Sequence, residues 1–261
     1  MYDIGILGGM GSKATALLFQ LIVENTGAIC DQDFLNIIVA NKADIPDRTA
    51  FLLNQTDKSP LPKLKEGLSE LTCLGASNIL IPCNTSHYFY DEMARATDTY
   101  ILNMVSNSLS YIKYSLLPKK VIILGTLGLV QLQIYDKNNS FDLDISYPST
   151  EECNKIHQII YNTKNSTLQL LELATELDGV ISDILAKENS ATVLLACTEL
   201  SVLKPLLTQK ENIVDALELL ALAAIYLSSK KPLVNKLCYD YKLIRSIALE
   251  EKMKRKIALN V

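Results

Sequence analysis

The chain has 261 residues, of which 49% are hydrophobic and 21% are charged, and these proportions exclude a disordered or fibrous protein. The formal net charge of -4 divides unevenly, because nine Lys or Arg against three Asp or Glu from Lys230 onward leave an acidic body. An acidic body is a poor surface for nucleic acid, so we expect no nucleic-acid partner.

No basic leader precedes the first apolar run, and no uncharged apolar stretch reaches membrane-spanning length. We therefore expect a cytoplasmic protein without a membrane partner. The six cysteines are scattered without a CxxC pair, and only two histidines accompany them. This pattern predicts neither disulfides nor a metal site.

Short runs rich in Ile, Val and Leu alternate with longer segments of helical period, which predicts an α/β fold with helices on both faces of parallel sheets. The predicted strands are Ile4–Leu7, Leu35–Ala40, Asn78–Ile81, Val121–Leu124 and Thr192–Ala196. The predicted helices are Lys13–Asn25, Lys63–Leu74, Ser86–Ala96, Ser166–Lys187 and Asp215–Ser228, the last with Asp215 as its cap.

Two parts of the chain repeat one pattern. The strand ending at Gly8 is followed 75 positions later by Cys83, and the strand ending at Gly125 is followed 72 positions later by Cys197. Chance recurrence is the alternative, but the near-equal spacing and the similar texts ILIPCNTS and VLLACTEL favour two similar α/β halves. The predicted domains are 1–114 plus about 209–229, 115–208, and a basic helical extension over 230–261.

A glycine-rich turn follows the first strand. Gly9 to Ala14 fits GxGxxA, and Asp31 and Asp33 lie about 20 residues on, as in a dinucleotide site. These acids precede the second strand, whereas a ribose-binding acid follows it. We therefore interpret the glycines as a tight turn that brings backbone N–H groups and Met10 close to a small ligand.

Cys83 and Cys197 each follow a strand, at the sheet edge where ligands bind in parallel α/β folds. Racemisation needs a base on one face of Cα and an acid on the other, and a thiol with a pKa near 8.5 suits both tasks. We expect the helix N-termini at Ser86 and near Glu199 to favour the thiolate. Filling space is the better interpretation of the remaining four cysteines: Cys30, Cys73, Cys153 and Cys238.

Several polar residues are candidates to hold a carboxylate. Asn84, Thr85 and Thr198 are donors next to the two cysteines. Arg48 in DIPDRTA is placed to clamp a carboxylate bidentately, with a surface pair to Asp44 or Asp47 as the alternative. Lys164, in a predicted loop, is a weaker candidate, and His87 is expected near a helix N-terminus and not as a base.

Four motifs in order, GILGGMGSKAT, DIPDRTA, IPCNTSHYF and LACTELSVL, resemble those of the aspartate/glutamate racemase family over about residues 1–228. The resemblance implies two similar α/β domains with parallel-rich sheets related by a pseudo-twofold and an active site in the cleft between them. It also implies no cofactor, Cys83 and Cys197 as the acid and base, Arg48 and Lys164 at the substrate's side-chain carboxylate, and a homodimer.

The text Cys197-Thr198-Glu199 resembles the aspartate and broad amino-acid racemase branch more than glutamate racemases, which read CTH. Leu129 stands where a carboxylate-binding threonine is expected, with Thr126 as a partial substitute, and Ser12 and Ser201 replace prolines. The predicted substrate-binding set beside the two cysteines is Met10, Arg48, Asn84, Thr85, Thr126, Lys164, Thr198 and Glu199, with no metal ligand.

The favoured function is a cofactor-independent racemase of a small acidic amino acid, aspartate or glutamate. One alternative is a related enzyme of the maleate isomerase or decarboxylase type, in which a cysteine adds to the substrate. Another is an amino-acid-binding protein with weak turnover, which is favoured by Leu129 at the position expected to hold a carboxylate-binding threonine. The tail is predicted to form an amphipathic helix through Leu237, Tyr241, Ile244, Ala248 and Ile257.

Overall fold

A computed structural model of the chain describes residues 1–116, 120–165, 169–188, 190–228, 230, 246, 249–250 and 252–253. These residues form two four-stranded sheets in which every strand pairing is parallel. The first sheet contains β1 (Ile4–Gly8), β2 (Ile37–Asn41), β3 (Asn78–Leu80) and β4 (Tyr100–Ile101). The second contains β5 (Lys120–Leu124), β6 (Ile145–Ser146), β7 (Ala191–Leu195) and β8 (Ile213–Asp215).

Eleven α-helices are described in the ranges given above, together with 3-10 turns at Asp31–Asp33, Thr85–Phe89 and Lys204–Leu206. The helices of the first half are α1 (Ser12–Asn25), α2 (Arg48–Leu52), α3 (Leu61–Cys73), α4 (Tyr90–Arg95) and α5 (Met104–Ser115). The remaining helices are α6 (Leu127–Gln131), α7 (Ile134–Lys137), α8 (Thr150–Asn165), α9 (Leu170–Lys187), α10 (Thr198–Leu203) and α11 (Ala216–Leu227).

The two sheets have the same strand order. The first is β2-β1-β3-β4 and the second is β6-β5-β7-β8, so β3 and β7 occupy equivalent inner positions. The predicted α/β fold of two similar parallel halves is confirmed. The equivalence matters for function, because a residue that follows β3 and a residue that follows β7 emerge at matching edges of the two sheets.

Both faces of the inner strands are buried, as the continuous apolar runs predicted. In β5, Val121 and Ile123 pack into a core shared by both halves, while Ile122 and Leu124 face a second core under α8 and α9. Burial of both faces means that helices cover both sides of the sheet. All five predicted strands are confirmed to within two residues.

Three strands and two long helices were missed by the sequence patterns. β4 and β6 have only two residues each, too few for a periodic signal, and β8 has three, of which only Asp215 was assigned, as the cap of the following helix. The missed long helices are α5 and α8. The predicted helix Ser86–Ala96 is a 3-10 turn followed by the short α4, and the predicted helix Ser166–Lys187 is described as helix only from Leu170.

The segment after residue 208 contributes to both halves. β8 pairs with β7 in the second sheet, whereas α11 packs against α1 and α5 of the first half. The proposed return of about 209–229 to the first domain therefore describes α11 but not β8, and the domain bounds themselves stay a prediction. The predicted helix over 230–261 lies almost wholly outside the described residues.

The two halves also touch where α2 meets α6. Gly128 of α6 faces Thr49 of α2, and a Cβ at Gly128 would lie 3.2 Å from the Thr49 Cα. None of the helices in the described part of the chain is long and apolar enough to cross a membrane.

Candidate active site

Cys83 and Cys197 lie at the carboxyl edges of the two sheets. Cys83 follows β3 and Cys197 follows β7, and both side chains are buried. Because these strands are equivalent, each half contributes one thiol from the same place in its own fold. Both thiols line one small cavity.

All ten predicted site residues line this cavity. They are Met10, Arg48, Cys83, Asn84, Thr85, Thr126, Lys164, Cys197, Thr198 and Glu199. Asp47 and Thr49 line it as well and were not predicted as site residues. A signal for Asp47 was present, since it directly precedes Arg48, but we interpreted it only as a possible surface partner of the arginine.

The backbone of Cys83 is fixed by two side chains that follow it. Its carbonyl oxygen accepts hydrogen bonds from Ser86 Oγ at 2.8 Å and from His87 Nδ1 at 2.9 Å. The Nε2 atom of His87 accepts from the Met104 N–H at 3.1 Å, which assigns the proton to Nδ1. Burial lowers the pKa of His87, so the imidazole is neutral and serves to hold the Cys83 loop.

Cys197 has an acidic neighbour. Its Sγ donates a hydrogen bond to Glu199 Oε2 at 3.1 Å, and the Glu199 side chain is itself buried. Burial, followed by the Glu199 carboxylate, raises the pKa of Cys197 well above its ordinary value. The expected thiolate-favouring effect of the α10 N-terminus is therefore wrong for Cys197, because desolvation and a nearby negative charge outweigh a helix dipole.

Arg48 is buried, so the alternative of a surface pair is wrong; Asp44 pairs instead with Lys63 at 3.0 Å. The Nη1 atom of Arg48 donates to Pro46 O at 3.0 Å, and Nη2 donates to Met10 O at 3.2 Å. Its Nε is buried and has no hydrogen-bond partner among the described residues. The backbone thus occupies part of the guanidinium, which limits the predicted bidentate clamp.

The guanidinium of Arg48 also interacts with the Cys83 sulfur. Burial acts to lower the pKa of Arg48, but Cys83 and Asp47 outweigh it and the pKa is raised. The two thiols therefore have unlike neighbours. Cys83 lies beside the Arg48 cation, whereas at Cys197 the Glu199 carboxylate outweighs the Lys164 cation.

Lys164 lies in the last turn of α8 and not in a loop, because the helix continues to Asn165. Its Nζ lies 4.6 Å from the centre of the Tyr161 ring. Burial acts to lower the pKa of Lys164, but Glu199 and Cys197 outweigh it and the pKa is raised. Lys164 is therefore a cation at the cavity, contributed by the second half.

Asp47 connects the two halves at the cavity. Its Oδ1 accepts from the Ala50 N–H at 2.8 Å as the cap of α2, and its Oδ2 accepts from Tyr161 OH at 3.1 Å. Burial acts to raise the pKa of Asp47, but the Ala50 N–H and Lys164 outweigh it and the pKa is lowered. A charged Asp47 offsets part of the positive charge that Arg48 and Lys164 bring.

Hydroxyl and amide groups complete the lining. The Thr85 and Thr126 hydroxyls are 3.0 Å apart across the two halves, and Thr198 Oγ1 donates to Pro82 O at 3.3 Å. The Asn84 Oδ1 accepts from Tyr135 OH at 2.7 Å, whereas its buried Nδ2 has no partner among the described residues. An Asn84 amide donor without a partner, beside Cys83, is suited to bind a ligand oxygen.

The glycine-rich turn contributes less than expected. Gly9 has a φ of 91°, and its N–H donates to Thr15 Oγ1 at 3.1 Å instead of facing a ligand. The Met10 residue does line the cavity. Leu129 is fully buried in the shared core and is absent from the lining, so it does not occupy the place of a ligand-binding hydroxyl.

Across the described residues, no three His, Cys, Asp or Glu side chains come together as metal ligands would. What the cavity offers a ligand is two thiols, two cations, two carboxylates and several neutral donors. These groups can exchange protons with a bound ligand and hold a carboxylate.

A family model and a curated protein that match this chain are both described as racemases. The model of the family described as Asp/Glu/hydantoin racemase matches residues 7–224. The broad specificity amino-acid racemase RacX of Bacillus subtilis is 29% identical over 140 residues, 51% of this chain and 59% of that protein. The match thus spans less than two thirds of the curated relative.

Solved structures resemble the chain over a greater length. The aspartate racemase of Picrophilus torridus has a TM-score of 0.78 and 26% identity, covering 93% of this chain and 98% of that one. An aspartate racemase homologue from Pyrococcus horikoshii has a TM-score of 0.67 and 21% identity, and the match covers 88% of this chain and 100% of that one. At this identity the similarity shows a shared fold only.

Proposed function

Since the chain belongs to the Asp/Glu/hydantoin racemase family, we propose that it racemises a small acidic amino acid, aspartate or glutamate, without a cofactor. One observation carries the proposal. Cys83 and Cys197 come from equivalent strand ends of two similar halves and line the same small cavity. A planar carbanion between two such groups can lose a proton to one and gain a proton from the other.

In the proposed reaction, the Cys83 thiolate removes the α-proton and becomes a thiol. The Cys197 thiol then delivers its proton to the opposite face of Cα and becomes a thiolate. The product is the other enantiomer, and the protonation states of Cys83 and Cys197 have exchanged. Proton exchange with solvent, or turnover of the opposite enantiomer, restores the starting state.

The unlike neighbours of the two thiols support this assignment of the starting state. The Arg48 guanidinium interacts with the Cys83 sulfur, whereas the Cys197 thiol donates a hydrogen bond to Glu199. The raised pKa of Cys197, caused by burial and then by Glu199, also favours its thiol form. We infer that Cys197 starts this direction of the reaction as the thiol, with Cys83 as the base.

The negative charge that develops on the substrate needs donors placed in advance. The Asn84 Nδ2 and the Arg48 Nε are buried donors without described partners at the same cavity. Asn84 is suited to the α-carboxylate, and Arg48 to the side-chain carboxylate of an acidic substrate. Lys164 enters from the second half and is suited to the side-chain carboxylate of an acidic substrate. Thr85, Thr126 and Thr198 supply further hydroxyls. Met10 lines the cavity as an apolar residue, and Glu199 acts through its hydrogen bond with Cys197.

Deuterium incorporation at Cα, followed by NMR in heavy water with no added cofactor, tests the proposal on a panel of L- and D-amino acids. We expect exchange with aspartate or glutamate in both enantiomers and little with neutral amino acids. Absence of exchange with every amino acid contradicts the proposed function. Exchange with neutral and acidic amino acids alike contradicts the acidic preference only.

Cysteine variants test the mechanism separately. We expect Cys83→Ser and Cys197→Ser each to abolish racemisation, because each leaves one face of Cα without its proton donor or acceptor. Cys153→Ser is the matched control, since Cys153 is a buried cysteine outside the cavity. Full racemisation in either of the first two variants, or a covalent substrate adduct by mass spectrometry, contradicts the two-cysteine proton transfer.

A further inference from the structure

The Asn84 side chain is held by a residue from the other half of the molecule. Tyr135, in α7 of the second half, donates its hydroxyl proton to Asn84 Oδ1 at 2.7 Å. Tyr135 is fully buried, and Asn84 is 2% exposed, so water does not compete for this hydrogen bond.

This hydrogen bond decides which way the amide faces. A side-chain amide has an oxygen that accepts and a nitrogen that donates, and the two ends differ only by a half-turn. In the structure the Tyr135 phenol donates to the oxygen, which leaves Nδ2 as the end directed elsewhere. The buried Nδ2 has no hydrogen-bond partner among the described residues, and Asn84 lines the cavity next to Cys83.

Tyr135 is well suited to hold a group still. Its ring is packed in the apolar core shared by the two halves. Burial raises its pKa, so the hydroxyl keeps its proton and remains a donor. Gln133, two residues before Tyr135, adopts a left-handed conformation with a φ of 51° at the start of α7.

We propose that Tyr135 is a positioning residue that orients the Asn84 amide so that Nδ2 donates to the substrate α-carboxylate while Cys83 removes the α-proton. As the proton leaves, charge moves from Cα onto the carboxylate oxygens, and a donor already in place stabilises the transition state more than the bound substrate. The inference rests on the proposed racemase function. Tyr135 itself does not line the cavity and acts through Asn84.

A double-mutant cycle on kcat tests this role. We expect Asn84→Ala to lower kcat by about 100-fold, the range seen when one preorganised donor is lost. Tyr135→Phe keeps the ring and removes the hydroxyl, and we expect kcat to fall by about 10-fold, because the amide remains but loses its fixed orientation. In the Asn84→Ala background, we expect Tyr135→Phe to change kcat by less than about twofold.

Two further variants make the outcomes distinct. Tyr226→Phe removes a buried tyrosine hydroxyl from α11, outside the cavity, and we expect kcat to be unchanged. Asn84→Asp keeps the acceptor for Tyr135 but removes the Nδ2 donor, so we expect a loss at least as large as in Asn84→Ala. This variant tests the donor even if Tyr135→Phe does not fold.

An equal effect of Tyr135→Phe in both backgrounds overturns the positioning role, because the hydroxyl would then act independently of Asn84. Retained activity in Asn84→Asp overturns it as well. Both results presuppose measurable racemisation by the unmodified protein. An inactive unmodified protein contradicts the proposed function instead.

Discussion

Asp215 is a buried acid whose ionisation opposes folding near neutral pH. It ends β8 and caps α11, and its Oδ1 accepts from Ser201 Oγ at 2.7 Å and from the Leu217 N–H at 2.8 Å. Burial, followed by Glu218, raises its pKa from 3.8 to about 6, although Lys204 opposes this shift. We predict that Asp215→Asn stabilises the protein at neutral pH.

The magnitude follows from the shift. A difference of roughly two pKa units corresponds to about 3 kcal/mol at about 1.4 kcal/mol per unit. The folded state prefers the protonated acid. The contribution of Asp215 to the free energy of unfolding is therefore fully present below pH 3.8 and is lost as the pH rises through about 6. Asparagine resembles the protonated acid and keeps Oδ1 as the acceptor for both donors.

Urea unfolding at pH 5 and at pH 7.5 measures this prediction. We expect the free energy of unfolding of Asp215→Asn to exceed that of the unmodified protein by about 3 kcal/mol at pH 7.5 and by about half as much at pH 5. Asp178→Asn is the control, because Asp178 also accepts from a backbone N–H and a hydroxyl, those of Thr208, but nearer the surface. The reasoning is refuted if the difference in free energy of unfolding between Asp215→Asn and the unmodified protein is equal at both pH values, or if the variant is less stable at pH 7.5.

Three further predictions concern the cavity. Arg48→Ala is expected to raise KM at least 10-fold more for acidic than for neutral amino acids, and equal effects in steady-state assays would mean that Arg48 does not contact the side-chain carboxylate. Glu199→Gln removes a charge that raises the pKa of Cys197. We therefore expect the limb of the pH–rate profile that reports Cys197 to move to lower pH. An unchanged profile would mean that Glu199 does not influence the ionisation of Cys197 during turnover. Leu129→Thr places a hydroxyl in the apolar core, so we expect a loss of about 1–3 kcal/mol in the free energy of unfolding and an unchanged KM for aspartate; a lowered KM would mean that residue 129 does reach the substrate.

The sequence was sufficient for the parts of the site that local patterns encode. Cys83 and Cys197 follow strong apolar strands, so their place at the sheet edge could be predicted, and the repeat indicated that the two edges face one another. Arg48 could be located in its motif. Its burial and its bonds to Pro46 and Met10 could not, since they depend on how the loop folds back on β1.

Contacts between the halves were beyond sequence reasoning. Tyr135 meets Asn84 across 51 positions, and Tyr161 meets Asp47 across 114, with nothing in the local text to pair them. Lys164 was misplaced for a different reason. The polar run before Leu170 resembles a loop, but tertiary packing of α8 continues the helix to Asn165.

The unlike neighbours of the two thiols have a consequence for the steady state. Enantiomers have equal free energies in water, so the equilibrium constant between them is one, and a racemase must have equal kcat/KM in its two directions. In the proposed two-cysteine reaction, Arg48 beside Cys83 and Glu199 beside Cys197 nevertheless make the two half-reactions chemically different. The difference can therefore appear only as kcat and KM that change together, with one enantiomer bound more tightly and turned over more slowly by the same factor.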